Sequence, residues 1–340
     1  MDPSSPTKSP ARGATADPPL FLAVPSKGRL QENATAFFAR AGLPLVQGRG
    51  ARDYRGSIAG MEDVEVVYLS ASEIARELAQ GEAHLGITGE DLLRESIPEA
   101  EARIALLTPL GFGHANVVVA VPQAWIDVRS MADLEDVAST YRLRHGRKMR
   151  VATKYLNLTR AFFARHGIAD YRLVESLGAT EGAPASGAAD LIVDITTTGA
   201  TLSANALKVL DDGIILRSEA NLVAGVGSAW GPRARRAARS MLMRIAAEET
   251  ARTTREVRAV LPADAVTLLA EMPADWGVSL LGDGAGDERG AFVCPKAAIF
   301  PVSEWLVARG ATRVAISQPD YVFSGTNVLA ERLEARIGGG

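Results

Sequence analysis

From Pro19 onward, short apolar runs alternate with segments of helical period, and that alternation limits the folds open to the chain more than any other feature. "LFLAVPSKGRL" scans as a strand and a turn, "QENATAFFARAG" as a helix and "VEVVYLS" as the next strand. Strands separated by helices are joined by crossovers rather than hairpins, so the pattern predicts an α/β fold with a largely parallel sheet. "ASEIARELAQGEAHLGITGEDLL" continues it: Ile74, Leu78 and Ala79 share one helical face, Gly81 marks the stop, and "HLGIT" is the following strand.

A second α/β block begins near "GFGHANVVVAVP", where residues 116–121 read as a buried strand ended by Pro122. "MRVATKYLNLTRAFFARHGI" adds a strand, a turn and a helix with Leu158, Phe162 and Phe163 on one face. Two lobes sharing a cleft are expected. After Trp230, "GPRARRAARSMLMRIAAEETARTTREV" reads as a connecting helix with a solvated basic face rather than a nucleic-acid patch. Beyond it, strands at 257–261, 277–281, 291–294 and 313–316 and helices at 263–271 and 302–308 suit a small α+β domain, with "GDGAGDERG" as a hairpin connection.

At 340 residues the chain is long enough for two or three domains, each with its own core. Hydrophobic residues at 47% and charged ones at 23% match a globular protein, which argues against wholesale disorder or membrane embedding. A net charge of −3 gives no field that would draw the whole protein to nucleic acid or anionic lipid, so any anion site is local. Cys294, the single cysteine, cannot form an internal disulfide, and His84, His114, His145 and His166 lie too far apart for a local zinc motif; a reducing cytoplasm is the expected setting. Residues 1–19 lack the apolar core of a secretory signal and read as a disordered tail. A transit peptide is the rival, opposed by Asp2, Asp17 and the prolines.

The chemistry concentrates in "DLIVDITTTGATL". Leu191, Ile192 and Val193 form a buried strand that delivers Asp194 to its carboxyl end, the edge where open α/β sheets bind ligands. Thr196, Thr197, Thr198, Gly199, Ala200 and Thr201 then turn with no large side chain. Gly199 can take a positive φ and Ala200 adds no bulk, so backbone N–H groups, hydroxyls and a helix N-terminus can converge on one anion such as a phosphate. Asp194 would repel that anion but can accept hydrogen bonds from two neighbouring sugar hydroxyls. Acid and nest together suit a ribose phosphate; small polar turns also serve merely as helix caps, and the motif alone leaves both readings open.

"EGAPASGAADLIVDITTTGATL" resembles the signature of the ATP phosphoribosyltransferase family, which opens histidine biosynthesis, at Glu181, Gly187, Ala189, Ile192, Asp194, Ile195, Thr198, Gly199, Thr201 and Leu202. "VPSKGRL", "LGITGEDLL" and "VATKYLNLTRAFFARHGI" are similar to further blocks of that family, in the same order. The resemblance covers about residues 20–230. It implies two periplasmic-binding-protein-like α/β lobes with a central cleft: a first lobe of 20–111 plus 203–232 and a second of 112–202. A connecting helix at 233–254 and a ferredoxin-like regulatory domain at 255–340 complete the expected layout.

The implied reaction joins N1 of ATP to the anomeric carbon of 5-phosphoribosyl 1-diphosphate and releases diphosphate. Adenine N1 already carries a lone pair, so no strong base is needed, and no Ser/His/Asp or Cys/His constellation is visible in the sequence. Mg²⁺, held mainly by the substrate rather than by protein ligands, is the implied cofactor. For the phosphoribosyl diphosphate, the expected residues are Asp194 on the ribose hydroxyls, Thr197, Thr198, Gly199, Ala200 and Thr201 on the 5-phosphate, and Glu181, which contacts substrate or braces the turn. On the ATP side stand Lys27, Gly28 and Arg29 in the first turn, Arg49 and Arg52 in "QGRGARDY", Asp91 in "TGED", and Lys154 and Tyr155 after a second-lobe strand. Longer family members carry the C-terminal domain and are inhibited by L-histidine, and the family forms dimers that associate into hexamers; both are implied here. The rivals are a nucleobase phosphoribosyltransferase, which usually carries two adjacent acids where Val193 precedes Asp194, and a two-lobed small-anion-binding protein.

Overall fold

Strand β1 (Leu20–Pro25) is buried along nearly its whole length because it lies inside a sheet, parallel to β4 (Met61–Leu69) on one side and β5 (Leu85–Gly89) on the other. The computed structural model describes residues 17–48, 54–261, 271–281 and 289–338. It divides into two compact units, one of Met1–Phe37, Leu45–Ala237 and Leu333–Gly340, the other of Phe38–Pro44 and Ala238–Arg332. Arg49 and Arg52, most of the expected 263–271 helix, most of "GDGAGDERG" and the first sixteen residues of the tail lie outside the described residues.

The first unit holds two sheets, one per lobe. In the first lobe the order is β2 (Leu45–Gln47), β3 (Arg55–Ile58), β4, β1, β5, β12 (Ala220–Gly225) and β6 (Ile104–Pro109). The sheet is mixed rather than largely parallel. β12 runs antiparallel between β5 and β6, because the chain returns from the second lobe at the edge where β5 ends, with Ala220 opposite Gly89. Helix α1 (Gly28–Arg40) follows β1. Helix α2 (Ala71–Gln80) follows β4 and opens with a reciprocal capping box between Ser70 and Glu73, which satisfies two N-terminal N–H groups. Gly81 ends α2 at φ 78°, where an added Cβ would lie 2.6 Å from the Gly227 carbonyl oxygen, so only glycine fits. Helices α3 (Glu90–Ser96) and α4 (Ala100–Arg103) lead into β6.

The second-lobe sheet is ordered β11 (Leu207–Ser218), β7 (Ala115–Pro122), β10 (Leu191–Thr196), β8 (Met149–Thr153) and β9 (Tyr171–Glu175). Helices α5 (Met131–His145) and α6 (Leu156–Arg165) flank β8, and the short α7 (Ala200–Ala204) follows β10. Alternate residues of the central strands enter different cores. Val117, Val119, Val121, Leu191 and Val193 pack with α5 and α6, while Val118, Ala120 and Ile192 pack with Leu202 and Leu207. Burial on both faces explains why these strands read as unbroken apolar runs. The return to the first lobe, expected after Leu202, comes later. β11 still pairs with β7 from Leu207↔Pro122 to Ser218↔Ala115, and its buried Leu207 and Leu210 complete the second-lobe cores.

In the other unit, β13 (Thr254–Val260), β14 (Ser279–Leu280), β15 (Arg289–Pro295) and β16 (Arg313–Ser317) form a sheet of order β14-β15-β13-β16 with every pair antiparallel. Second, third, first, fourth is the ferredoxin-like order, and helix α9 (Ile299–Ala308) packs Val302 and Leu306 against Val257, Phe292 and Cys294.

Helix α8 (Pro232–Thr253) lies where a connecting helix is expected, with Arg236, Arg239 and Arg252 exposed. Ala234, Ala238, Met241, Leu242 and Ile245 are buried, and several arginines are engaged: Arg233 with Asp63, Arg235 with Glu334, and Arg244 with the Gly42 carbonyl. The segment after Gln318, which the sequence left unplaced, ends in helix α10 (Val328–Ile337), with Leu329, Ala330 and Leu333 buried.

Candidate functional site

Parallel pairing puts the carboxyl ends of β1 and β5 at one edge of the first sheet and those of β8, β9 and β10 at one edge of the second. Lys27, Gly28 and Arg29 follow β1, and Asp91 follows β5. Lys154 and Tyr155 follow β8, Glu181 lies on the segment after β9, and the hydroxyl-rich loop follows β10.

The loop itself is open and partly self-satisfied. Thr197, Thr198, Ala200 and Thr201 are exposed. Gly199 sits at φ 78° as the N-terminal cap of α7, and a Cβ there would meet nothing within 4 Å, so its requirement is conformational rather than steric. Thr196 Oγ1 accepts the Gly199 N–H at 2.8 Å, and Thr198 Oγ1 accepts the Ala200 N–H at 3.4 Å. Two of the donors expected to face a phosphate are thus engaged within the turn. Thr197 Oγ1 donates to the His114 carbonyl at 3.0 Å, tying the loop to the segment that enters β7.

Asp194 is half-buried and accepts the Ile195 N–H at 2.8 Å. Burial pushes its carboxyl above the ordinary value; Lys154 opposes that shift, and the charge of Glu181 adds to it. Asp194, Lys154 and Glu181 are therefore electrostatic neighbours. Glu181 lies in a short 3₁₀ turn (Thr180–Gly182) capped by Ala179 at φ 51°, a conformation few residues with a side chain adopt.

Tyr155 and Asp91, both expected on the nucleotide, are held by each other. The Tyr155 hydroxyl donates to Asp91 Oδ2 at 2.7 Å, and Ser218 donates to Oδ1 at 2.9 Å while accepting the Asp91 N–H at 3.0 Å. Tyr155 is fully buried and Asp91 is 7% exposed. Burial, then the Asp91 charge, drives the phenol far above its usual range, which keeps it a proton donor. Lys154 packs its ammonium 4.9 Å from the Tyr155 ring centroid. In the first lobe, Lys27, Gly28 and Arg29 are exposed at the β1–α1 turn, with Gly28 at φ 69°; the hydrogen bonds from Ser70 hold the Glu73 carboxyl below its ordinary value, and the Lys27 charge adds a smaller contribution in the same direction. Ser218 carried no sequence signal, because its partner is 127 positions away. Arg49 and Arg52 fall outside the described residues.

The family model for ATP phosphoribosyltransferase, HisG, matches residues 70–247. The ATP phosphoribosyltransferase of Afipia carboxidovorans is 61% identical over 322 residues, covering 94% of this chain and 99% of that protein. That of Nitrobacter winogradskyi is 60% identical over 316 residues, 93% of this chain and 97% of its own. A solved ATP phosphoribosyl transferase (HisG:HisZ) complex from Thermotoga maritima is similar at 25% identity and a TM-score of 0.49, over 66% of this chain and 96% of that one. With relatives this near along almost the whole length, the molecule is an enzyme of the pentosyltransferase class. The chain belongs to the ATP phosphoribosyltransferase family, which acts on ATP and phosphoribosyl diphosphate at the start of histidine biosynthesis and uses a metal cofactor. Among the described residues, no helix is long and apolar enough to cross a membrane.

Proposed function

We propose that this chain joins N1 of ATP to the anomeric carbon of 5-phosphoribosyl 1-diphosphate at the facing sheet edges of its two lobes, with Asp194 and residues 197–201 as the sugar-phosphate cradle. The observation that carries this reading is Asp194 at the end of β10, its charge disfavoured by burial, directly before a loop of exposed hydroxyls and a left-handed Gly199. Two ribose hydroxyls donating to Asp194 restore what burial takes from the carboxylate, and the 5-phosphate takes hydrogen bonds from the threonine hydroxyls and the first N–H groups of the turn.

As the N1–C1 bond forms, the C1–O bond to diphosphate breaks and its electron pair leaves with the diphosphate oxygen. No proton needs to move for attack. Positioning and charge stabilisation supply the rate: Asp194 opposes the positive charge growing on the sugar, and Lys154 balances the departing anion. Lys27 and Arg29 take the triphosphate, with Gly28 letting the backbone approach. Mg²⁺ would be carried mainly by the diphosphate, with the hard oxygen donors of Asp194 and Glu181 beside it, and would supply charge neutralisation for the leaving group. Histidine inhibition through the C-terminal sheet and assembly into dimers or hexamers complete the proposal.

Incubation with magnesium phosphoribosyl diphosphate and ATP, a panel of free nucleobases or no acceptor tests it, reading diphosphate release and the ultraviolet spectrum of the product. Release that requires ATP is expected. Release with a free base in place of ATP would overturn the acceptor, and binding without turnover would favour a solute-binding role.

A further inference from the structure

Helix α6 begins the second-lobe element that follows Lys154 and Tyr155, yet no side chain of its own caps it. Four N–H groups at a helix start lack intrahelical acceptors, and an uncapped start frays. The acceptor comes from the other lobe. Glu95, in the last turn of α3, receives the Asn157 N–H at 2.9 and 3.1 Å on its two carboxylate oxygens and the Leu158 N–H at 3.0 Å. Asn157 returns the contact by donating its side-chain amide to the Glu95 carbonyl at 2.9 Å. One turn earlier on α3, Asp91 receives the Tyr155 hydroxyl.

We propose that Glu95 is a positioning residue for the reaction: by capping α6 across the lobes it fixes the Lys154–Tyr155 turn against Asp194. The inference rests on the proposed phosphoribosyl site, since it is through Lys154 that the cap reaches substrate. The charges agree in direction. A carboxylate at a helix N-terminus is stabilised by the helix dipole, and Lys154, immediately ahead of that terminus, is the cation that favours the ionised form of Asp194. With the cap removed, the first turn of α6 loses its acceptors and Lys154 is no longer held at one distance from Asp194. Glu95 touches no substrate; it acts through the turn it restrains.

Glu95→Ala and Glu95→Gln in the full chain test this, with steady-state kinetics and hydrogen exchange read together. Glu95→Ala is expected to speed amide exchange at Asn157 and Leu158, leave β8 and β10 protected, and raise KM for phosphoribosyl diphosphate about tenfold while kcat falls by less than about threefold. Glu95→Gln keeps one acceptor oxygen and is expected to recover most of the loss. A variant that is merely less stable would lower the apparent kcat by shrinking the folded fraction and leave KM unchanged, and that result overturns the proposal. Faster exchange at α6 with unaltered KM also overturns it, while leaving the phosphoribosyl site intact. Failure of the wild-type chain to bind phosphoribosyl diphosphate at all would instead remove the site on which it rests.

Discussion

Asp190 takes hydrogen bonds from both terminal guanidinium nitrogens of Arg147 at 2.7 and 3.0 Å, from the Arg150 side chain at 3.2 and 3.3 Å, from the Arg150 N–H at 2.8 Å and from the Tyr141 hydroxyl at 2.9 Å. Burial alone would push its carboxyl up, but the two arginines outweigh that and hold it well below the ordinary carboxylate range. A carboxyl depressed in the folded chain stabilises it fully above the unfolded value of about 3.9 and loses that contribution as pH falls toward the folded value. Because this residue directly precedes β10, the cluster fixes the strand that presents Asp194. Asp190→Asn is expected to lower stability by about 2–3 kcal/mol at neutral pH, less than for a wholly buried pair because Arg147 is 42% exposed. Calorimetric melting across pH checks this. The first transition should fall by roughly 5 °C at pH 7, with the gap to wild type narrowing progressively as pH falls below about 3.9.

Among the elements, those whose signal is local are legible in the sequence. β10, its acid and the small turn occupy one continuous stretch, and the alternation of strand and helix located β1, α2, β7, β8 and α6. What stayed hidden depends on partners far along the chain. Nothing near Glu95 announces that it caps a helix starting more than sixty positions later, and Asp91 reads as an ordinary helix N-terminal acid until Tyr155 and Ser218 are brought to it. β11 joins the second-lobe sheet rather than the first for a related reason. Strand pairing, not local pattern, decides which sheet a strand joins, and "LKVLDDGIILRS" carries no mark of its partner β7. Arg233 and Arg235 of α8 read as part of a solvated face because charge alone does not reveal Asp63 or Glu334 waiting across the fold.

For the whole molecule, the ferredoxin-like sheet shares its unit with residues from early in the chain. Its unit includes Phe38–Pro44, where Arg40 pairs with Glu248 at 3.2 Å and its carbonyl accepts the Tyr321 hydroxyl at 2.9 Å. L-histidine added to the full chain is expected to lower turnover; a rate unchanged at saturating histidine would leave that unit without the proposed regulatory role.

In the proposed function the turn after β10 cradles the phosphorylated sugar. Calorimetric titration of magnesium phosphoribosyl diphosphate into the wild-type chain and into Gly199→Val tests it most directly, because a β-branched residue is strained at φ 78° while its Cβ meets no neighbour within 4 Å. Saturable binding to the wild type, weakened by about tenfold or more in the variant, is the predicted result. Equal affinity in the two proteins would contradict the claim.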